Sequence, residues 1–133
     1  MRYLIDTNTL SNGLLNESFK RDDIFVLKEI VEEYAFTDQE ADKIKRSGIQ
    51  ILEVNKKHLQ KLNDILKDHG DNFDLIRLYT NKGAGDVLMI AYILSEKERP
   101  EELFVDKYTI VTNDKELFNI ARSYKINCIS ELK

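Results

Sequence analysis

The sequence predicts an α/β fold, a three-layer α/β/α sandwich around a mainly parallel central sheet of about five strands. Three observations predict it. Short apolar runs alternate along the chain with stretches whose apolar residues recur at helical spacing. Helix-capping residues follow the runs closely, so successive strands must be joined by helical crossovers, which return to the sheet parallel and right-handed. Four acidic positions, Asp6, Glu33, Asp86 and Asp114, fall where a strand hands over to a helix or shortly inside that helix.

Residues 3–5 form the first strand, and Asp6-Thr7-Asn8-Thr9, four good N-cap residues in a row, open a helix through about Leu15. Ile24–Leu27 is the second strand. Residues 28–36 place Ile30, Val31, Tyr34 and Ala35 at helical spacing. Thr37-Asp38-Gln39-Glu40 is a capping box that opens another helix toward Arg46, and Gly48 ends it. Residues 49–54 alternate as a third strand, and Leu59, Leu62, Ile65 and Leu66 mark a helix that stops near Gly70. A short helix is expected at 73–79. Gly83-Ala84-Gly85 leads into a helix over 86–97 that is apolar almost all round and is therefore expected to be buried. Pro100 closes that region. Tyr108–Val111 is the fourth strand, Asn113-Asp114-Lys115-Glu116 starts the last long helix with an Asn-x-x-Glu cap, and residues 126–129 are the fifth strand.

The chain, residues 1–133, fits one domain, long enough to bury roughly two thirds of the surface its unfolded form exposes. The single cysteine, Cys128, excludes an internal disulfide and reads as a small packed side chain in a reducing compartment. The longest apolar run, 87–94, falls far short of a membrane span. The expectation is a soluble, cytoplasmic protein without membrane contact. Twenty basic and 24 acidic side chains give a net charge of −4, which is not the footprint of a general nucleic-acid coat. A nuclease remains compatible, because a cation-loaded acidic crevice is locally less negative and basic groups can cluster at its rim. Lys20-Arg21, Lys43/Lys45/Arg46 and Lys56/Lys57/Lys61 are the candidates, each of which reads more readily as a solvated helix face.

In a parallel α/β sheet, ligands bind outside the carboxyl ends of the strands, so the four acidic positions are expected to converge on one crevice. Converged carboxylates repel, and they stay ionised together only around a cation. Hard oxygen ligands select Mg²⁺ or Mn²⁺. Each residue also has a plain structural role open to it: Asp6 and Asp114 can cap helices, Asp86 can serve a helix dipole, and Glu33 competes with Glu29 and Glu32 on one helix. Other chemistries fail on the same residues. A haloacid-dehalogenase-like phosphatase needs Asp where Asn8 stands, a P-loop needs Gly-Lys-Ser/Thr where Gly85-Asp86 stands, and a receiver domain needs an acceptor Asp where Asn55 stands. His58 and His69 lie on a charged helix with no zinc-ligand pattern and are expected at the surface.

The opening Tyr3-Leu4-Ile5-Asp6-Thr7-Asn8, the helix Ile30-Val31-Glu32-Glu33-Tyr34, the stretch Gly85-Asp86-Val87-Leu88-Met89-Ile90-Ala91 and the closing Ile110-Val111-Thr112-Asn113-Asp114-Lys115-Glu116-Leu117 resemble, in order, the four acidic motifs of PIN-domain nucleases. The resemblance spans essentially the whole chain. It implies metal-dependent hydrolysis of RNA phosphodiester bonds, with Asp6, Glu33, Asp86 and Asp114 as the catalytic set. The ion, Mg²⁺ or Mn²⁺, would sit on Asp6, Asp86 and Asp114, with Thr7, Asn8, Thr112 and Asn113 orienting carboxylates or water. Many compact members resemble VapC-type toxins, which implies an antitoxin partner and allows a homodimer. The Lys28-Glu29 pair and the highly charged segment 37–70 depart from the commonest toxin pattern. The competing class is a catalytically inactive scaffold or an RNA- or protein-binding module that keeps the acidic set as caps.

Overall fold

Strand β1 (Arg2–Ile5) lies at the centre of a five-stranded sheet, with β2 (Ile24–Leu27) and β3 (Gln50–Leu52) on one side and β4 (Tyr108–Val111) and β5 (Asn127–Ile129) on the other. Every neighbouring pair is parallel. The structure, a computed structural model, describes residues 2–15, 23–35, 37–68, 84–97 and 108–131. The expected helix at 73–79, Gly70, His69, Pro100 and Lys20-Arg21 lie outside the described residues. The remaining elements are α1 (Thr7–Leu15), α2 (Lys28–Tyr34), α3 (Asp38–Arg46), α4 (Lys56–Asp68), α5 (Ala84–Lys97) and α6 (Lys115–Ser123).

The chain leaves β1 toward β2 and β3, then crosses back to β4 and β5. Right-handed crossovers that run in opposite directions put their helices on opposite faces, which makes three layers. Helix α2 packs on α1 and α3, whereas α5 packs on α4 and touches α6. Strands β2 and β4 are buried at all four residues, as expected for strands covered on both faces. The edge strands are shorter and more exposed than the sequence suggests. Of residues 49–54 only Gln50–Leu52 pair, with Phe25, Val26 and Leu27, so β3 ends where β2 does, at the pair of Leu27 and Leu52. Helix α5 is buried from Gly85 to Ile93, held between the sheet and α4, which is why its sequence is apolar on every side. Among the described residues no helix is long and apolar enough to cross a membrane.

Local capping sets most boundaries. The Thr37 hydroxyl accepts from the Glu40 N–H at 3.2 Å, the N-cap bond expected of α3, and donates to the Glu40 carboxylate at 3.1 Å, so the glutamate closes on the hydroxyl. Gly48, at φ 88°, ends that helix in a conformation that favours glycine. Asn55 caps α4, accepting from the Lys57 and His58 N–H groups. Helix α6 ends in a Schellman motif, in which the Ile126 N–H reaches the Ala121 carbonyl and the Lys125 N–H the Arg122 carbonyl, both at 2.9 Å. Its left-handed position is taken by Lys125, at φ 60°.

His58 corrects the surface reading of the sequence. It is only 4% exposed, whereas Leu59, expected on the apolar stripe, is 51% exposed. The inward face of α4 runs through His58, Leu62, Ile65 and Leu66 at i, i+4, i+7 and i+8, which leaves Leu59 a turn of about 100° away. The imidazole is satisfied there. Nδ1 accepts from the Asn55 N–H at 3.0 Å, Nε2 lies 3.0 Å from Glu96 Oε1, and the ring stacks on Tyr92 with centroids 4.2 Å apart. With Nδ1 acting as acceptor, Nε2 carries the proton and donates to Glu96.

Candidate active site at the carboxyl edge of the sheet

Strand order reverses between β1 and β4, and their shared carboxyl ends are the topological switch point at which such sheets bind ligands. The register pairs Ile5 with Val111, so Asp6 and Thr112 leave the sheet side by side. Asp6 is 3% exposed and caps α1, with Oδ1 accepting from the Thr9 N–H at 2.9 Å. Its Oδ2 accepts from the Thr112 hydroxyl. That hydroxyl also accepts from the Asp114 N–H at 3.0 Å, and the Thr9 hydroxyl donates to the Val111 carbonyl at 3.0 Å. These bonds fix the start of α1 to the end of β4.

Asp114, not Asn113, caps α6: its Oδ1 accepts from the N–H groups of Glu116 at 2.9 Å and Leu117 at 3.4 Å. The helix starts one residue later than the Asn-x-x-Glu pattern suggests. Thr112 is still tied to β5 through its N–H and the Ile129 carbonyl, so the chain turns out of the sheet only after it. Asn113 is exposed, as is Asn8.

The other half of the edge is built on α2 and α5. The Thr7 hydroxyl donates to Glu33 Oε2 at 3.5 Å, a contact at the limit of hydrogen bonding. The residue is exposed, but the end of its side chain is tucked against Gly85, where a Cβ would stand 2.8 Å from Glu33 Oε1. This partial burial raises the Glu33 pKa above its ordinary value. The Glu29 carboxylate on the same helix face adds to the rise, and the Thr7 hydrogen bond opposes it. Glu32 is exposed. Asp86, next to Gly85 in the first turn of α5, is 8% exposed.

Hydrogen bonds therefore join Asp114, Thr112 and Asp6. A second set of contacts joins Thr7, Glu33 and Gly85 beside Asp86. The two sets meet at the consecutive residues Asp6 and Thr7. Among the described residues no group of three or more His, Cys, Asp or Glu side chains is arranged to hold a metal ion. Cys128, on β5, is half-buried, and burial pushes its thiol up to about 12, with the Asp6 charge adding to the rise and Arg122 opposing it. That thiol is inert rather than nucleophilic.

Two functional candidates were weakly signalled in the sequence. Thr9 was one of four possible caps, and nothing local marked it as the link to β4. Gly85 was visible only as half of a glycine pair. An open concavity of about 290 Å³ adjoins the edge, lined by Thr112 and Asp114 together with Asn113, Lys115, Phe118, Asn119 and Ser130. Lys43, Lys45 and Arg46 lie in the exposed last turn of α3. Compared with known proteins, the chain matches no family model and no curated protein.

Proposed function

We propose that the chain is a cytoplasmic, divalent-metal-dependent endoribonuclease of PIN-like type, cleaving RNA at the carboxyl edge of β1 and β4. One observation carries this reading. Asp6 is a buried carboxylate at the switch point, and among the described residues it is hydrogen-bonded by the neutral Thr9 N–H and Thr112 hydroxyl and paired with no basic side chain. Neutral donors solvate such a carboxylate but supply no counter-charge, which a cation from solution would provide.

The donor set is all oxygen and therefore suits Mg²⁺ or Mn²⁺ in kind. Asp6, Asp86 and Asp114 would hold the ion, and each carboxylate oxygen of Asp6 keeps a lone pair beyond its hydrogen bond. When bound, such an ion neutralises charge on a phosphodiester and lowers the pKa of a water. The rest falls to the chain. Thr112 fixes the orientation of Asp6 and ties it to the start of α6. Thr7 and Gly85 seat the Glu33 carboxylate beside Asp86, and the buried α5 gives that side of the site a rigid base. No histidine base is needed.

A second reading has its own support. Asp6 and Asp114 both act as helix caps, and among the described residues no cluster of three ligands is preformed, which suits a scaffold or RNA-binding module that retains the acidic set structurally. Thermal melting during a Mn²⁺ titration, read beside cleavage of single-stranded RNA, separates the two. An ion that binds only the folded chain stabilises it by RT ln(1 + [L]/Kd). The nuclease reading expects a rising Tm and Mn²⁺-dependent cleavage, both lost in Asp6→Asn. A flat Tm with no cleavage assigns the scaffold. A toxin role is the finer form of the proposal, with an antitoxin whose Arg would pair with the exposed carboxylates. Expression of the wild type alone should then slow a bacterial host while Asp6→Asn does not. A harmless wild type that still cleaves RNA points to RNA processing.

A further inference from the structure

The concavity beside Asp114 has a lining unlike the carboxylate edge it adjoins. Phe118 is half-buried and presents an aromatic ring, and the Arg122 guanidinium lies 5.8 Å from the ring centroid. Around it stand two exposed amides, Asn113 and Asn119, the exposed hydroxyl of Ser130, and one ammonium, Lys115. We infer that this concavity is a nucleobase subsite for single-stranded RNA. A base stacks on Phe118, its edge bonds to the amides of Asn113 and Asn119 and to the Ser130 hydroxyl, and Lys115 meets a flanking phosphate.

The chemistry of the lining selects this occupant. Unpaired bases are recognised by stacking on aromatic and guanidinium planes, together with hydrogen bonds from groups that both donate and accept along the base edge. Amides and hydroxyls do both; carboxylates and ammoniums do not. The volume, about 290 Å³, lies at the small end of ligand pockets and suits one flat ring system rather than a folded segment of protein. Continuity with the acidic edge adds a functional reason. Thr112 and Asp114 line the concavity and also belong to the hydrogen-bonded set that holds Asp6. A base seated on Phe118 therefore presents its neighbouring phosphodiester to that edge. The subsite rests on the nuclease reading for its purpose, but its occupancy is independent of any cleavage.

The test is the affinity of a short fluorescently labelled single-stranded RNA for the full chain in EDTA, where no metal-dependent turnover occurs. Phe118→Ala should weaken binding about tenfold, the scale of one lost base stack. Phe118→Tyr, which keeps the ring, should restore affinity to near wild type, and Asn119→Ala, at an exposed position, should weaken binding severalfold without altering the melting temperature. Titration with AMP should perturb the amide NMR signals of residues 113–119 before all others. Equal affinity of wild type and Phe118→Ala, which a docking surface for a protein partner would give, overturns the subsite. So does the absence of RNA binding by the wild type, or AMP shifts that map elsewhere. Phe118-dependent binding without Mn²⁺-dependent cleavage keeps the subsite and removes the nuclease. Cleavage indifferent to Phe118 does the reverse.

Discussion

Gly85→Ala separates the stability of α5 from the position of Glu33, because the added methyl group touches both. Its Cβ would stand 2.8 Å from Glu33 Oε1, 3.2 Å from Glu33 Cδ and 3.1 Å from Ile30 Cδ1. Ile30 is fully buried, so it can give by only a few tenths of an ångström, whereas the glutamate end is flexible and swings away. The Thr7 hydrogen bond, already 3.5 Å long, costs at most about 0.5 kcal/mol when it breaks. Crowding of Ile30 costs about 1 kcal/mol, the low end of overpacking. Alanine returns up to about 1 kcal/mol over glycine in a helix. The terms largely offset, and unfolding in urea should give a stability within about 1 kcal/mol of wild type. Activity should not be spared. A reacting group displaced by about 1 Å can cost a hundredfold, so Mn²⁺-dependent RNA cleavage should fall at least about tenfold in the same preparation. Undiminished cleavage with unchanged stability would refute the role given to the Glu33 seat. A loss beyond about 3 kcal/mol would show that the carboxylate is not the part that yields.

Four further outcomes are expected. Glu33→Gln should suppress cleavage strongly while Glu32→Gln leaves it near wild type; the opposite order would place the other glutamate at the site. The same variant has a pH signature. The folded pKa of Glu33 lies above its ordinary 4.5, so the native state holds more protons than the unfolded chain between 4.5 and the raised value. The wild type should therefore lose stability relative to Glu33→Gln as pH rises through that window, by a small amount because the carboxyl is largely solvated; parallel urea midpoints across the window would contradict the shift. His58→Phe keeps a ring against Tyr92 but removes the acceptor of the Asn55 N–H and one partner of Glu96, so urea unfolding should show a loss of about 1–2 kcal/mol; a loss under about 0.5 kcal/mol would mean that the ring packs without its hydrogen bonds. Lys125→Gly relieves a left-handed residue in the Schellman turn and should stabilise the chain by about 0.5–1 kcal/mol, seen as a higher urea midpoint at an unchanged slope.

The fold was legible because its signals are local. Strands β2 and β4 fall at the residues their apolar runs mark, and the Thr37 cap and Gly48 bound α3 as read. What the sequence hid depends on neighbours distant along the chain. The length of β3 is set by the reach of β2, and the cap at Asp114 by the grip of β5 on Thr112. His58 misleads because polarity usually marks a surface, while its partner Glu96 is 38 residues away and invisible to any periodicity. The candidate site was legible in part. The acidic positions at strand ends could be read, as could Thr7 and Thr112 as possible supporting donors. The hydroxyl links that tie Asp6 to Thr112 and Thr7 to Glu33 could not, nor could the seat that Gly85 leaves for Glu33.

The bond between Asp6 and Thr112 joins residues 106 positions apart, and β1 can take its central place only when β4 arrives beside it. Contacts of such long range are slow to form and need most of the chain to be present. During synthesis the first strand and helix leave the ribosome long before their partner exists, and the buried carboxylate spends that time in water as an ordinary ionised side chain. Desolvation, loss of hydration and capture of the Thr112 hydroxyl then come together, at the step that closes the sheet. A chain that ends before β4 therefore has Asp6, Glu33 and Asp86 but neither Asp114 nor the crevice, and whatever chemistry the edge performs is withheld until β4 and the start of α6 are in place.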